Sequence, residues 1–294
     1  MLNIIQASIR AVLDDFEWEF VQGTILHTEG TCALLPALSL LTYLSPHTGN
    51  WSLYTTSFSK LPLYAYYNPL DPHSVIQTET ELLQIIEEDG PFDGVLAYSG
   101  GASLAAQLII KDAQDHPFKL PHERPFRFAI FINGASPLHV FNYANAELGA
   151  DTEQDLDVSS LIEEAAQIFL RPSAVRKKGE FDGEDQLDVN HMLELLATLK
   201  GKRLADGTPF LTDGKHGLTR YNALCSRILI DIPTLHVRSP IEEDRHHGLH
   251  LVEMCDPNTR MEFHHKYGHD FPRGRLEMKK IAELIRQTVE NANG

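Results

Sequence analysis

Positive charge is what this sequence has least of: 25 Lys and Arg stand against 41 Asp and Glu, a formal net charge of −16 over 294 residues. Nucleic acids and anionic membrane surfaces are bound through clustered positive charge, and this balance argues against both as partners. Cysteine is scarce too. Cys32, Cys225 and Cys255 are odd in number and far apart, so neither a disulfide framework nor a CxxC metal site can be read, and a reducing compartment is expected. No stretch reaches the roughly 18 apolar residues of a membrane-spanning helix. The first apolar run is followed closely by Asp14, Asp15, Glu17 and Glu19, which is wrong for a signal peptide. A soluble, cytoplasmic protein is expected. There is no internal repeat or low-complexity run, and no GxxxxGK[ST] or GxGxxG element follows any strand, which leaves nucleotide phosphate without support. His246 and His250 stand four apart, as do His265 and His269, but no HExxH pattern or Cys and carboxylate spacing accompanies them. No metal and no cofactor are expected.

What is present is ordinary globular material, 43% apolar and 9% aromatic, enough to bury a substantial core. Ile5, Ile9, Val12 and Leu13 have helical spacing, and Glu17 to Val21 alternates as a strand. Residues 30 to 72 hold five prolines and several aromatics, among them Tyr43, Trp51, Tyr64 and Tyr67, without sustained period, and are expected to be a long aromatic loop region lining a pocket. From Ser74 the pattern becomes regular. A helix through Val75, Leu82, Leu83, Ile85 and Ile86 stops at Asp89-Gly90-Pro91, a strand covers Phe92 to Tyr98, a helix covers Ala102 to Lys111, and a buried strand covers Phe126 to Ile132. This alternation is that of a parallel α/β sheet. Residues 137 to 225 break it with acidic helical stretches, Asp151 to Leu170 and Asp185 to Leu199, as a cap insertion would. The α/β pattern resumes with a strand at Ile232 to Val237, a helix near Gly248 to Met254, an extended stretch Arg260 to His264 and a last helix Arg275 to Asn291.

The sharpest local feature is Ala97-Tyr98-Ser99-Gly100-Gly101, between a predicted strand and a predicted helix. A nucleophile elbow needs a serine on a tight turn with small residues two positions either side, and Ala97 and Gly101 meet that need. Such a turn would expose the Ser99 Oγ and aim the Gly100 amide and the helix N-terminus at a developing oxyanion. A Ser-Gly-Gly turn also arises from tight strand–helix packing alone. Of fifteen histidines His269 is the best placed base, in a glycine-containing loop after a late strand, with His264 and His265 read as strand-end residues. The third member should follow the strand ending near Val237, where Glu242 and Asp244 are both candidates to orient the imidazole.

These residues make the chain resemble the fungal serine hydrolase family of small α/β hydrolases, which includes thioesterases that release polyketides in trans. The match is carried by Glu88-Asp89-Gly90-Pro91-Phe92-Asp93-Gly94-Val95 leading into Ser99, by Phe126 to Gly134, by Ile232 to Val237, by Cys255-Asp256-Pro257 and by Gly268-His269-Asp270-Phe271-Pro272-Arg273. The resemblance implies one α/β-hydrolase-like domain over residues 1–294, a mostly parallel sheet flanked by helices with a helical cap insertion at about 137–225. It implies Ser99 as nucleophile, His269 as base and the acid near Glu242. It implies hydrolysis of a small-molecule or carrier-bound acyl thioester or ester in secondary metabolism, with a polyketide synthase as partner. Three departures accompany it. Gly100 stands where the family has Gln, and Glu242 where it has Asp. The family's first strand, whose loop supplies a second oxyanion amide, has no counterpart ahead of Gln6. Loss of one such donor costs roughly 10²–10³ in rate, and the bared sheet edge would need cover from residues 24 to 60. The alternative expectation is a catalytically impaired scaffold that binds a metabolite or promotes a non-hydrolytic step such as cyclisation.

Overall fold

In a computed structural model, the described residues are 9–21, 25–27, 41–45, 63–67, 71–148, 199–221, 228–240, 245–268, 271–272 and 274–293. The chain opens with β1 (Glu17–Val21), β2 (Ile25–His27), β3 (Leu41–Ser45) and β4 (Leu63–Ala65). Helix α1 (Pro72–Asp89) starts where the Asp71 carboxylate accepts the His73 N–H at 2.9 Å and Pro72 fills the first helical position. Strand β5 (Gly94–Tyr98), helix α2 (Gly100–Asp115) and strand β6 (Phe128–Ile132) follow, as the sequence pattern predicts. After the insertion come β11 (Thr234–Arg238), α3 (Arg245–Glu253), β12 (Arg260–His264) and α4 (Arg275–Asn293). Among the described residues no helix is long and apolar enough to cross a membrane.

Six strands form the main sheet in the order β1-β3-β5-β6-β11-β12. From β5 to β12 all neighbours are parallel, while β3 runs against both β1 and β5. Strands buried on both faces need apolar residues at every position, and β5 and β6 have them. Val95, Ala97, Ala129 and Phe131 point to the face covered by Leu104 and Leu108 of α2. Leu96, Phe128, Ile130 and Ile132 point to the other, where Met278, Ile281 and Ile285 of α4 join Ile9 and Leu13 from the start of the chain. Alternation along the strand thus divides one run of apolar residues between two cores. This is the α/β architecture expected from the sequence.

Two features differ from the sequence reading. The stretch from 30 to 72, expected as a loop, contributes β3 and β4. Strand β3 pairs Leu41 to Leu44 with Ala97 to Gly94, so the edge of β5 is covered by backbone from within residues 24 to 60, in the antiparallel sense. Its formation is set by a ladder to a strand about fifty positions away, which no local period records. The second concerns the insertion, whose described ends are strands: β7 (Leu138–Asn142), β8 (Lys200–Arg203), β9 (Pro209–Thr212) and β10 (His216–Arg220) form an antiparallel sheet in the order β7-β10-β9-β8. It packs on α1 and α2. The acidic helical stretches predicted from 151 to 198 lie outside the described residues.

Candidate active site at the strand ends

Ser99 sits alone between β5 and α2, with φ 54° and ψ −119°. A side chain in this region is strained, and strain persists only where the surroundings enforce it. Here they do. The Ser99 N–H donates to the Ile132 carbonyl of β6 at 2.9 Å, and the Ser99 carbonyl accepts from Ala102 N–H at 3.1 Å and Ser103 N–H at 3.3 Å, opening α2. Ala97 and Gly101 on either side are buried, and both are small, as a tight turn between strand and helix requires. Gly100 takes the first position of α2, where an amide has no acceptor within the helix and the helix dipole is positive. The elbow expected from Ala97-Tyr98-Ser99-Gly100-Gly101 is therefore the local geometry found.

His269, Glu242 and Asp244 lie outside the described residues, so the structure supplies no distances for them. It does fix where their segments leave the sheet. Residues 241–244 join the end of β11 to the start of α3, and His269 follows β12. Because β5, β6, β11 and β12 are parallel, Ser99 and the ends of β11 and β12 from which both segments start share one edge, the carboxyl ends of the strands, where sites of open α/β sheets are built. Strand β12 is three strands from β5, about 14 Å at about 4.8 Å per strand. The five residues from His264 to His269 span at most about 17 Å when extended. A base on this loop is within reach of Ser99 only if the loop turns back over β11 and β6.

The described part of that loop is tightly held, by residues that sequence reasoning missed or read only as strand ends. His265 is buried directly after β12, and its N–H donates to the Arg238 carbonyl of β11 at 3.0 Å. Its Nε2 lies 3.0 Å from Asn133 Oδ1, and its Nδ1 accepts from Tyr267 N–H at 3.2 Å. Asn133 follows β6 with φ 46°, a left-handed conformation that Asn tolerates better than most residues, and its N–H donates to the Val237 carbonyl at 2.8 Å. The Tyr267 hydroxyl donates to Glu277 of α4 at 2.7 Å. Gly268, with φ +59°, gives the turn that precedes His269, and beyond it Phe271 is buried in the core. Asn-Gly after an apolar strand was the only signal for Asn133 in the sequence. Ser239, at the end of β11, is also buried, and its Oγ has no hydrogen-bond partner among the described residues.

Three other reactive groups have partners of their own. Cys255 is buried and bonded to the Leu251 carbonyl at 3.2 Å, and burial pushes its thiol up to about 12, which keeps it protonated. His236, inside β11, rests beside Thr234 Oγ1 at 3.2 Å, and burial pulls its pKa down to about 3 against the opposing pull of Glu262. Its ring is a neutral core element. His250, one of the paired histidines, lies 3.3 Å by its Nδ1 from Ser136 Oγ. Among the described residues no group of three or more His, Cys, Asp or Glu is arranged to hold a metal ion.

The chain is similar to several known hydrolases. The chain is 28% identical over 228 residues to hydrolase FUB4 of Fusarium oxysporum f. sp. lycopersici, covering 78% of each chain. It is 25% identical over 229 residues to esterase FPY3 of Fusarium mangiferae, covering 78% of this chain and 71% of that one. Serine hydrolase cnsH of Penicillium expansum is 26% identical over 237 residues, covering 74% of this chain and 86% of its own. The family model described as serine hydrolase (FSH1) matches residues 62–281, which include the elbow, both sheets' later strands and the His269 loop. With that match spanning most of the chain around a strained serine elbow, the protein belongs to the serine hydrolase (FSH1) family.

Proposed function

We propose that the protein is an acyl hydrolase that cleaves a thioester or ester of a largely apolar acyl chain, in polyketide or other secondary-metabolite biosynthesis. The observation that carries the reading is the backbone of Ser99, held at φ 54° between a buried parallel strand and a helix N-terminus. In this reading Ser99 Oγ attacks the carbonyl carbon, His269 accepts the hydroxyl proton, and Glu242 or Asp244 orients the imidazole. The Gly100 amide and the positive end of α2 stabilise the oxyanion. The proton then passes from His269 to the leaving thiol or alcohol, and water activated by His269 hydrolyses the acyl-enzyme. The name of esterase FPY3 supports ester cleavage, and the family resemblance supports a carrier-bound thioester with a polyketide synthase as its source.

The test is steady-state turnover of p-nitrophenyl esters and acyl thioesters of graded chain length. Ser99→Ala should lower kcat roughly 10⁴–10⁶-fold, as removal of a triad nucleophile does. Full turnover by that variant would sink the mechanism.

One observation favours a second reading. The strand beside β5 on its open side runs antiparallel, so it is its amino end, not the end of a parallel strand and its loop, that lies level with Ser99. A site with one oxyanion amide is slower by roughly 10²–10³, which would suit a scaffold that binds a metabolite or promotes cyclisation. Retention of product cyclisation in Ser99→Ala, with no hydrolysis in the parent, would favour this reading over the first.

A further inference from the structure

We propose that Asn133 and His265 are positioning residues for the general base, tying the start of the loop that leads to His269 to the end of β6. The inference rests on the assignment of Ser99 as nucleophile and His269 as base. It starts from the sheet order: β12 is two strands from β6 with β11 between them, and Asn133 and His265 are the residues directly after β6 and β12. Both backbones are tied to β11, Asn133 N–H to the Val237 carbonyl and His265 N–H to the Arg238 carbonyl. The side-chain bond of 3.0 Å between them therefore passes over the end of β11, in the direction of Ser99.

Two bonds bear on the protonation of the His265 ring. Asn133 Oδ1 only accepts, so His265 Nε2 carries the proton. Tyr267 N–H only donates, so His265 Nδ1 is bare. One neutral imidazole thus joins the end of β6 to the third residue of the loop, and a protonated or reversed ring could not make both bonds. Tyr267 stacks on that ring, centroids 5.9 Å apart, and its hydroxyl anchors the loop to Glu277 of α4. Each bond fixes the chain within four residues of His269. The buried, mutually satisfied pair is more than a strand end needs, since the backbone bonds to β11 already terminate β12.

Asn133→Gly is a clean variant, because glycine keeps a φ of 46° without strain while deleting the acceptor. On p-nitrophenyl esters this variant and His265→Ala should each lower kcat roughly 10- to 100-fold, the effect of moving a catalytic group by about 1 Å, with KM within about twofold. His265→Gln, whose amide keeps a donor towards Asn133, should recover most of the kcat that His265→Ala loses. In a His269→Ala background neither substitution should cause a further loss, because there is no base left to position. Unchanged kcat in the folded single variants would overturn the proposal, and so would a loss of equal size with and without His269. If circular dichroism shows that Asn133→Gly does not fold, His265→Gln against His265→Ala decides by the same criteria. Failure of the underlying assignment looks different: His269→Ala or Ser99→Ala would then turn over at the parent rate, whatever the positioning variants do.

Discussion

The strain at Ser99 links a backbone angle to a reaction. Non-glycine residues reach φ 54° with ψ −119° only at a cost of order 1–3 kcal/mol, and the hydrogen bonds to the Ile132 carbonyl and from the Ala102 and Ser103 N–H groups hold the residue there. Glycine occupies the region freely, so Ser99→Gly should be more stable than Ser99→Ala by about 1 kcal/mol although both are inactive. Thermal unfolding of the two variants compares them directly, and a higher Tm for Ser99→Ala would show that the turn is not strained. His236 makes a separate prediction. A histidine held neutral at a folded pKa of about 3 titrates near 6.5 when unfolded, so the unfolded chain binds more protons between those values. Its contribution is therefore fully present above about pH 6.5 and lost as pH falls towards 3, by at most about 1.4 kcal/mol per pH unit. His236→Leu should flatten the dependence of Tm on pH over that window, and an unchanged slope would contradict it. At this scale the sequence disclosed Ser99 and Gly100, because the elbow is a contiguous pattern. It hid the Asn133–His265 pair, whose members are 132 positions apart and meet only through the strand order.

Elements whose residues answer to a local rule were legible. Helix α1 announces itself by the spacing of Val75, Leu82, Leu83, Ile85 and Ile86 and by its stop at Asp89-Gly90-Pro91, and strand β12 is found over the same five residues that the sequence predicts. Strand β3 answers to a partner rather than a rule, since it exists by completing the ladder of β5. Gly94 shows why a sequence motif can be right without its reason being visible. A Cβ on Gly94 would run into the ring of Phe128, itself fully buried across the β5–β6 ladder. Gly94→Ala should therefore cost about 1–3 kcal/mol by overpacking, measurable as a lower midpoint in urea with unchanged slope. Gly94→Ala combined with Phe128→Leu should recover part of that loss. A neutral Gly94→Ala would mean that the ring has room to move.

For the whole molecule, the densest acidic runs and the candidate site residues fall in different parts of the sequence. The −16 charge is concentrated in part in acidic runs of the insertion, Asp151 to Glu164 and Asp182 to Asp188, outside the described residues, while the parallel strands β5, β11 and β12 end at the same edge as the Ser99 turn. The chain order Ser99, then Glu242 or Asp244, then His269 is readable in the sequence as an expectation. The antiparallel β3 at the open side of β5 was not, and it bears on whether a second oxyanion donor exists. The most direct measurement is mass spectrometry of the intact protein after treatment with a fluorophosphonate, followed by peptide mapping. An activated serine gives one adduct per chain on the peptide containing Ser99, absent in Ser99→Ala and formed far more slowly in His269→Ala. No adduct, or an adduct on another residue, would contradict Ser99 as the nucleophile.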